Sequence, residues 1–453
     1  MNSHALLILL SLVFYSCNDS GAAESVKEVS PPSKNKAREK TPEVPNTKEK
    51  ESQTAPKNDV DEVLENLQKA LTFNKQRAIK TKSWLSWQKV AGIYLGHARI
   101  SGDVNSFVKA GHAIDEAFKI AKPGAGPFLT RAGYNLTIHK ISEVEADLVA
   151  FEKKIVIKTS ERAKVAALRG AVFFLSGDLP KALEHFKKAE SLKADTSSAS
   201  RLANYYLKTG DYDLARTWYK KAIERVDKSD KNTHAWAELH LGIVNLEENN
   251  LPEAEKHYAI ANELFTGWYL INEHIAEAAR LTKDYGPAID RYKQILKKTP
   301  NGEFYQALGD TYLASGVEGK KAKAQKAYAD ARAAFERDIA ILPSAASGHA
   351  LNFYLKHAVV RALDLARENF KLRPGHEART QLAMALLLNG KKEKARQILK
   401  PTLSSKWGKH DYLLLGAYLF EKENPKAAKK LRKRAEKTHP GSYTDFVESL
   451  PKS

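Results

Sequence analysis

A column of eight alanines at nearly regular spacing is the feature that most constrains what this chain can fold into. Successive members are 33, 39, 34, 36, 38, 33 and 33 residues apart. The column consists of Ala182, Ala215, Ala254, Ala288, Ala324, Ala362, Ala395 and Ala428. A small residue that recurs at this spacing is typical of a structure that repeats one supersecondary unit. We therefore expect an elongated array of units, which leaves no room for a separate catalytic domain.

Further columns keep the same register. Four residues after each of the first five alanines stands an aromatic residue, at Phe186, Tyr219, Tyr258, Tyr292 and Tyr328. A second column of small residues precedes the alanines, at Gly170, Ala203, Gly242, Ala276, Gly309, Ala350, Ala383 and Gly416. Turn-forming pairs such as Gly177-Asp178 separate the two columns, and prolines such as Pro300 close several units. Each unit is therefore predicted to be two helices joined by a turn.

This pattern resembles the tetratricopeptide repeat, a helix–turn–helix unit of about 34 residues. The resemblance implies an all-α fold, a right-handed α-solenoid of about ten such units. Residues 159–453 are expected to hold eight repeats that end in a polar C-terminal cap at Arg432. Residues 59–158 are expected to hold an N-terminal helix and two degenerate repeats. Solenoids of this kind bind proteins or peptides, so the resemblance implies a non-catalytic scaffold or adaptor with an unidentified protein or peptide partner.

In such a solenoid the first helix of each unit lines the concave face, where a partner binds. Candidate contacts on this face are Asn204, Lys208, Trp236, His240, Glu247, Glu273, Glu277, Arg280, Gln306 and Asp310. Some relatives grip a C-terminal carboxylate with paired lysine and asparagine residues, and here only Asn204 matches that arrangement. The resemblance therefore implies a groove of mixed charge. The alternative for each residue is an ordinary solvated polar side chain.

Catalytic and metal-binding motifs are missing from the sequence. It has no Gly-x-Ser-x-Gly elbow, no phosphate-binding loop and no histidine pair at metal-binding spacing. The single cysteine excludes a zinc or iron–sulfur site built from cysteines. We therefore expect no enzymatic activity, no cofactor and no bound metal, although an unrecognised groove site stays a minor alternative.

The N-terminus resembles a bacterial lipoprotein signal. A run of about ten apolar residues (5–14) is followed by Ser16 and Cys17, the only cysteine. The resemblance implies that residues 1–16 are removed and that Cys17 is acylated. Residues 17–58 then form a disordered tether, because 18–58 mixes Pro, Lys, Glu, Ser and Thr without an aromatic residue. The expected location is the bacterial cell envelope, with the exported protein anchored to a membrane by lipid and facing the periplasm. The alternative is an ordinary signal peptide with an incidental cysteine.

The formal net charge is +19, and nearly all of it lies after the tether, where basic residues form clusters. The densest basic patch consists of Lys426, Lys429, Lys430, Arg432, Lys433, Arg434 and Lys437. Such a patch indicates an alternative function, the binding of an anionic envelope polymer or of lipid headgroups. The other interpretation is a solvated surface without a ligand. Export to the envelope argues against nucleic acid as a partner.

Overall fold

The computed structural model describes residues 58–451. Within this range the backbone forms 22 α-helices and two short 3-10 helices, Ile141–Glu143 and Lys400–Ser404, and it contains no β-strand. Helices that follow one another along the chain pack against each other in pairs. The described chain is therefore a series of helical hairpins.

Ten hairpins follow one another, and each consists of a first helix and a second helix. The first helices are α2 (Trp84–Ser101), α4 (Phe128–Thr137), α6 (Thr159–Ser176), α8 (Thr196–Thr209), α10 (Lys231–Glu247), α12 (Tyr269–Leu281), α14 (Gly302–Ala314), α16 (Pro343–His357), α18 (His376–Leu388) and α20 (His410–Leu419). The second helices are α3 (Val104–Ile120), α5 (Val144–Glu152), α7 (Leu179–Leu192), α9 (Tyr212–Glu224), α11 (Leu251–Leu264), α13 (Tyr285–Lys298), α15 (Lys320–Ile341), α17 (Val359–Leu372), α19 (Lys392–Leu399) and α21 (Pro425–Thr438). The ten units confirm the predicted α-solenoid.

One more helix lies at each end of the array. Helix α1 (Asp59–Thr81) precedes the first hairpin, as expected, and α22 (Ser442–Ser449) follows the last one. The sequence predicted a polar cap without a neighbour at α21, but α22 covers this helix. The guanidinium carbon of Arg432 lies 4.5 Å from the ring centroid of Tyr443, and Phe446 is also buried.

Short polar turns join the helices of a hairpin. Gly177 ends α6 with a φ of 91°, a left-handed conformation that glycine adopts without strain. The next residue, Asp178, begins α7, and its carboxylate accepts a hydrogen bond from the backbone N–H of Lys181 at 3.1 Å. Between α8 and α9, Gly210 likewise ends the first helix in a left-handed conformation, and the Asp211 side chain caps the start of the second helix. The Gly-Asp pairs are therefore turns, as predicted.

The two columns of small residues let the helices of one hairpin approach closely. All eight alanines of the first column are at most 5% exposed. At Gly242 an added Cβ would lie only 2.5 Å from the ring of Tyr258, and at Gly170 it would lie 2.6 Å from Phe186. The aromatic column therefore fills the gap over its own hairpin. Phe186 also packs edge-on against Tyr205 of the next hairpin, with ring centroids 6.5 Å apart.

The solenoid winds into a superhelix whose two turns touch. The carbonyl of Ser101 at the end of α2 accepts a hydrogen bond from Thr299, just before α14. The carbonyl of Lys208 in α8 accepts one from the N–H of Gly408, just before α20. One superhelical turn therefore spans six hairpins. We call the zone where the ends of α2, α4, α6 and α8 meet the starts of α14, α16, α18 and α20 the turn seam. Helix ends carry partial negative charge and helix starts partial positive charge, so this arrangement is electrostatically favourable.

Between residues 58 and 451, no helix is both long enough and apolar enough to cross a lipid bilayer.

Candidate functional site

The ten side chains predicted to contact a partner lie on α8, α10, α12 and α14, which follow one another along the superhelix. Asn204, Arg280 and Asp310 are partly exposed. The others are at most 6% exposed, namely Lys208, Trp236, His240, Glu247, Glu273, Glu277 and Gln306. Neighbouring helices cover these seven side chains, and among them Lys208 and Glu247 contact residues of the other superhelical turn. Their role in binding stays a prediction.

Two of these residues take part in a buried cluster of charges at the turn seam. The ammonium group of Lys409, at the start of α20, binds the carboxylate of Glu247 at the end of α10. The ammonium group of Lys208 lies 3.7 Å from the carboxylate of Glu377 in α18. The buried carboxyl of Asp411 completes the cluster. These charges join helices from different superhelical turns, so they hold the turns together.

The charges at the turn seam perturb one another. Burial disfavours the charged form of Glu247, but Lys409, Lys208 and His410 together outweigh this effect and hold the pKa of Glu247 below its ordinary value. Burial also disfavours the charged form of Lys409, but Glu247, Asp411 and Glu377 together outweigh burial and raise the pKa of that ammonium group. Burial raises the pKa of Asp411. The environment therefore favours the charged forms of Glu247 and Lys409. It favours the neutral form of the neighbouring Asp411 carboxyl.

Glu273, on α12, occupies a different environment inside the superhelix. It is fully buried, and neither of its carboxyl oxygens has a hydrogen-bond partner among the described residues. Burial and then the charges of Glu303 and Glu277 raise the pKa of this carboxyl well above its ordinary value. Within residues 58–451, no group of three or more His, Cys, Asp or Glu side chains could hold a metal ion. The carboxyl of Glu273 is therefore held in its neutral form over a wider pH range than an exposed one.

Trp236 and His240 are packed as core residues of α10. Their ring centroids are 3.9 Å apart, and Nδ1 of His240 lies 2.9 Å from the carbonyl oxygen of Trp236. Burial lowers the pKa of His240 to about 3, so its imidazole is neutral at physiological pH. These two side chains contribute to packing in the closed superhelix.

An open groove of about 410 Å³ lies at the free edge of the first superhelical turn. The starts of α2, α4, α6 and α8 form it together with the ends of α5 and α7. We call it the edge groove. Its apolar side chains include Trp84, Leu85, Phe128, Leu129, Phe151, Ala163 and Ala167. Its charged side chains are Lys154, Glu161, Lys164, Lys193, Asp195 and Arg201. Leu85 is 60% exposed, so the groove presents apolar surface to solvent.

Both carboxylates of the edge groove are already engaged. Glu161 accepts a hydrogen bond from the backbone N–H of Lys158 at 2.9 Å and lies 3.7 Å from the ammonium group of Lys154. Asp195 accepts a hydrogen bond from the N–H of Ser198 at 2.9 Å and lies 3.0 Å from the ammonium group of Lys193. Four cations therefore face two carboxylates that cap helices, and the groove carries a net positive charge.

The sequence did not predict the edge groove. Its residues lie at the starts of first helices, outside the periodic columns, and four different hairpins contribute to it. The apolar pair Trp84-Leu85 at the start of a helix was the local signal that could have indicated it. The cluster at the turn seam had no such signal, because Glu247 and Lys409 are far apart in sequence.

The C-terminal basic patch divides into two parts on α21. Ala428, Leu431 and Ala435 are buried, so charge does not surround this helix on all sides. Arg434 donates hydrogen bonds to the carbonyl oxygens of Trp407 and Thr209 at 3.4 Å, which places it at the turn seam. The exposed lysines are Lys426, Lys429, Lys430, Lys433 and Lys437. We call these five residues the lysine stripe. The predicted signal peptide, Cys17 and the tether up to residue 57 lie outside the described residues.

Residues 194–261 match the family model of the tetratricopeptide repeat. This segment covers α8 to α11, two complete hairpins. No curated protein sequence matches the chain.

Several solved structures are similar to the chain at low identity. The crystal structure of MamA is 21% identical, covers 38% of this chain and 96% of its own, and gives a TM-score of 0.31. The match to PilF of Pseudomonas aeruginosa is 15% identical and covers 49% of this chain and 96% of the PilF chain, with a TM-score of 0.31. The match to yeast Tom70 is 13% identical and covers 86% of this chain and 93% of the Tom70 chain, with a TM-score of 0.37.

The family match shows tetratricopeptide repeats in residues 194–261, and the ten packed hairpins repeat the same helix–turn–helix arrangement along the described chain. This architecture serves as a scaffold for interactions between proteins.

Proposed function

We propose that this protein is a non-catalytic scaffold of the bacterial envelope, which binds a protein or peptide partner and holds it close to a membrane. The edge groove is the observation that carries the proposal. It combines a volume of about 410 Å³ with apolar side chains that solvent reaches, such as Leu85. Exposed apolar surface inside a concave site is typical of a binding site for another molecule.

The edge groove also offers solvent-accessible surface on first helices. It is formed by the starts of first helices, the same class of helix that carries the buried candidates Trp236 and Glu273. A partner that binds in the groove leaves the turn seam intact. We therefore place the partner at the edge groove and not at the buried inner residues.

A crosslinking pull-down from intact cells tests this function. The bait is the full chain, and the captured material is washed at low salt and at about 0.5 M salt, at which charges are strongly screened. We expect a discrete protein to survive the second wash. The variant Leu85→Asp, which places a charge in the groove, is expected to lose it. Val360→Asp is the matched control, because Val360 is 70% exposed on α17, outside the groove.

Two results would contradict the proposal. Capture of no protein under either wash would argue against a scaffold. Equal capture by Leu85→Asp and by Val360→Asp would place the partner somewhere other than the edge groove.

The membrane location is proposed from the sequence around Cys17. The apolar run and the Ser16-Cys17 pair support acylation of Cys17, and this lipid would hold the scaffold at a membrane. We expect Cys17→Ser to move the protein from the membrane fraction to the soluble fraction of the envelope. Membrane association that persists in Cys17→Ser would contradict the lipid anchor.

The lysine stripe supports a second candidate function, binding of an anionic envelope polymer or of lipid headgroups. Its five lysines are all exposed on one helix, α21. Such binding depends on charge and should collapse between low and moderate ionic strength. We expect Lys429→Glu with Lys433→Glu to abolish it, whereas capture of a protein at the edge groove should not change.

A further inference from the structure

We infer that the edge groove binds an acidic segment of a partner protein, one that carries carboxylates beside apolar side chains. The inference rests on the proposed scaffold function and specifies the chemistry of the ligand. Three properties of the groove carry it, namely its apolar floor, its charge and the side chains at its open edge.

The floor of the groove is apolar and firmly packed. Phe151 is buried at the end of α5, and Ala163 and Ala167 are buried on the neighbouring face of α6. Phe128 and Leu129 line the groove from the start of α4. The apolar surface that a ligand can cover is that of exposed side chains such as Leu85, so an apolar side chain beside the carboxylates of the ligand is complementary to the groove.

The rim of the groove selects negative charge. Lys154, Lys164, Lys193 and Arg201 line it, and its two carboxylates are held by helix caps and by two of these lysines. A carboxylate-bearing ligand is therefore complementary in charge, and a basic ligand would be repelled. Complementary charge of this kind favours the right partner and suppresses wrong ones.

A second copy of this chain does not fit the open edge. At the turn seam, helix starts approach helix ends closely because they carry glycine. An added Cβ at Gly375 would lie 2.5 Å from the carbonyl oxygen of Leu175, and one at Gly408 would lie 2.3 Å from that of Thr209. At the free edge, Lys158 caps the start of α6 at the position that Gly375 has in α18.

The same replacement occurs one hairpin further along. Asp195 caps the start of α8, and Ala194 stands where Gly408 precedes α20. These side chains prevent another helix end from approaching as closely as at the turn seam. The free edge is therefore not built to continue the superhelix with a second copy, and the space that remains is the groove.

Fluorescence anisotropy with the full chain and labelled peptides tests the inference. The probe is a peptide that repeats Asp-Leu-Phe-Glu three times. One control peptide has lysine in place of every acidic residue, and another has serine in place of every leucine and phenylalanine. We expect the acidic apolar peptide to bind at least about tenfold more tightly than either control. Equal affinity for the acidic and the basic peptide would overturn the inference, and so would a failure of the acidic peptide to bind.

A charge-swap experiment separates recognition from a loss of folding. Lys154→Glu combined with Lys164→Glu is expected to weaken the acidic peptide about tenfold and to strengthen the basic peptide. Lys321→Glu combined with Lys326→Glu, at exposed positions of α15 outside the groove and the lysine stripe, carries the same change of net charge and is the matched control. An unchanged preference in the groove variant would overturn the inference.

Two further outcomes are informative. Heparin that binds in place of the acidic peptide, with the same loss in the groove variant, would overturn the inference in favour of a polymer. Full capture of a cellular partner by the groove variant would overturn it as well, but would leave the scaffold function intact.

Discussion

The backbone N–H of Gly408 donates a hydrogen bond to the carbonyl oxygen of Lys208 at 3.0 Å. This bond joins the start of α20 to α8, six hairpins earlier in the chain. Lys208 also places its ammonium group 3.7 Å from Glu377. One residue therefore links the two superhelical turns through its backbone and through its side chain, and the turn seam closes the inner face of the solenoid.

Adding a methyl group at Gly408 should open the turn seam. In Gly408→Ala the new Cβ would lie 2.3 Å from the carbonyl oxygen of Thr209, so one helix must move. We expect a loss of about 1–3 kcal/mol in the free energy of unfolding and an increase in the radius of gyration. Gly286→Ala is the control, because no heavy atom lies within 4 Å of the added Cβ there. Denaturant unfolding and small-angle X-ray scattering measure both effects, and an unchanged radius would argue against contact between the turns.

Removal of Lys409 should leave a buried charge without its partner. In Lys409→Met the carboxylate of Glu247 stays buried, and we expect a loss of about 3–5 kcal/mol at neutral pH. Adding Glu247→Leu should recover most of the lost stability, because an apolar pair then replaces the ion pair. Urea unfolding of the single and double variants measures the difference. A double variant no more stable than Lys409→Met would contradict this account.

The cost of Lys409→Met should also depend on pH. In the wild type the pKa of Glu247 is lowered, so its contribution to stability is present above its unfolded pKa of 4.5. This contribution is lost as the pH falls through the lowered value. In the variant, the unpaired carboxyl is protonated more easily. The difference in stability between the two proteins should therefore shrink as the pH falls from 7 towards 5.

Glu273 should make the protein less stable as the pH rises. Its pKa in the folded protein is raised well above 4.5, so folding favours the protonated form. The contribution of this group is fully present below pH 4.5 and is lost as the pH rises through the raised value. Glu273→Gln keeps the shape and removes the titration. We expect the variant to match the wild type near pH 4.5 and to exceed it by about 1–3 kcal/mol at pH 8.

A control of the same chemistry is available for Glu273. Glu255 is exposed on α11, so Glu255→Gln makes the same substitution at the surface and serves as the control. Parallel curves for the wild type and Glu273→Gln between pH 4.5 and pH 8 would contradict the raised pKa.

Ala215 tests the register of the hairpins. It is fully buried on α9, within a core that also contains Ala203, Tyr219 and Trp236. Ala215→Leu should overpack this core and cost about 1–3 kcal/mol. Lys220→Leu, at an exposed position of the same helix, should not. Thermal unfolding followed by circular dichroism compares the two variants. Equal midpoints of thermal unfolding for the two variants would show that Ala215 does not lie between closely packed helices.

The sequence predicted the hairpins well because the signals that specify them are local. Ala182 and Gly170 belong to one hairpin, and the aromatic ring of Phe186 packs on Gly170 across the same turn. The close approach of two helices therefore depends on residues a dozen or so positions apart. The same reasoning predicted the first helices that carry the ten candidate contacts, since each unit repeats the order of its helices.

Whether those contacts are open to a partner was decided by the tertiary structure. Small rotations between neighbouring hairpins add up over six units, and their sum brings Gly408 against Lys208. No local pattern encodes this sum, because the contacting residues lie about 200 positions apart. The sequence by itself therefore determined the repeating hairpins, through short-range packing of small and aromatic residues. Only the tertiary structure decided that the inner face is closed at the turn seam and open at the edge groove, because both depend on how the units add up in space.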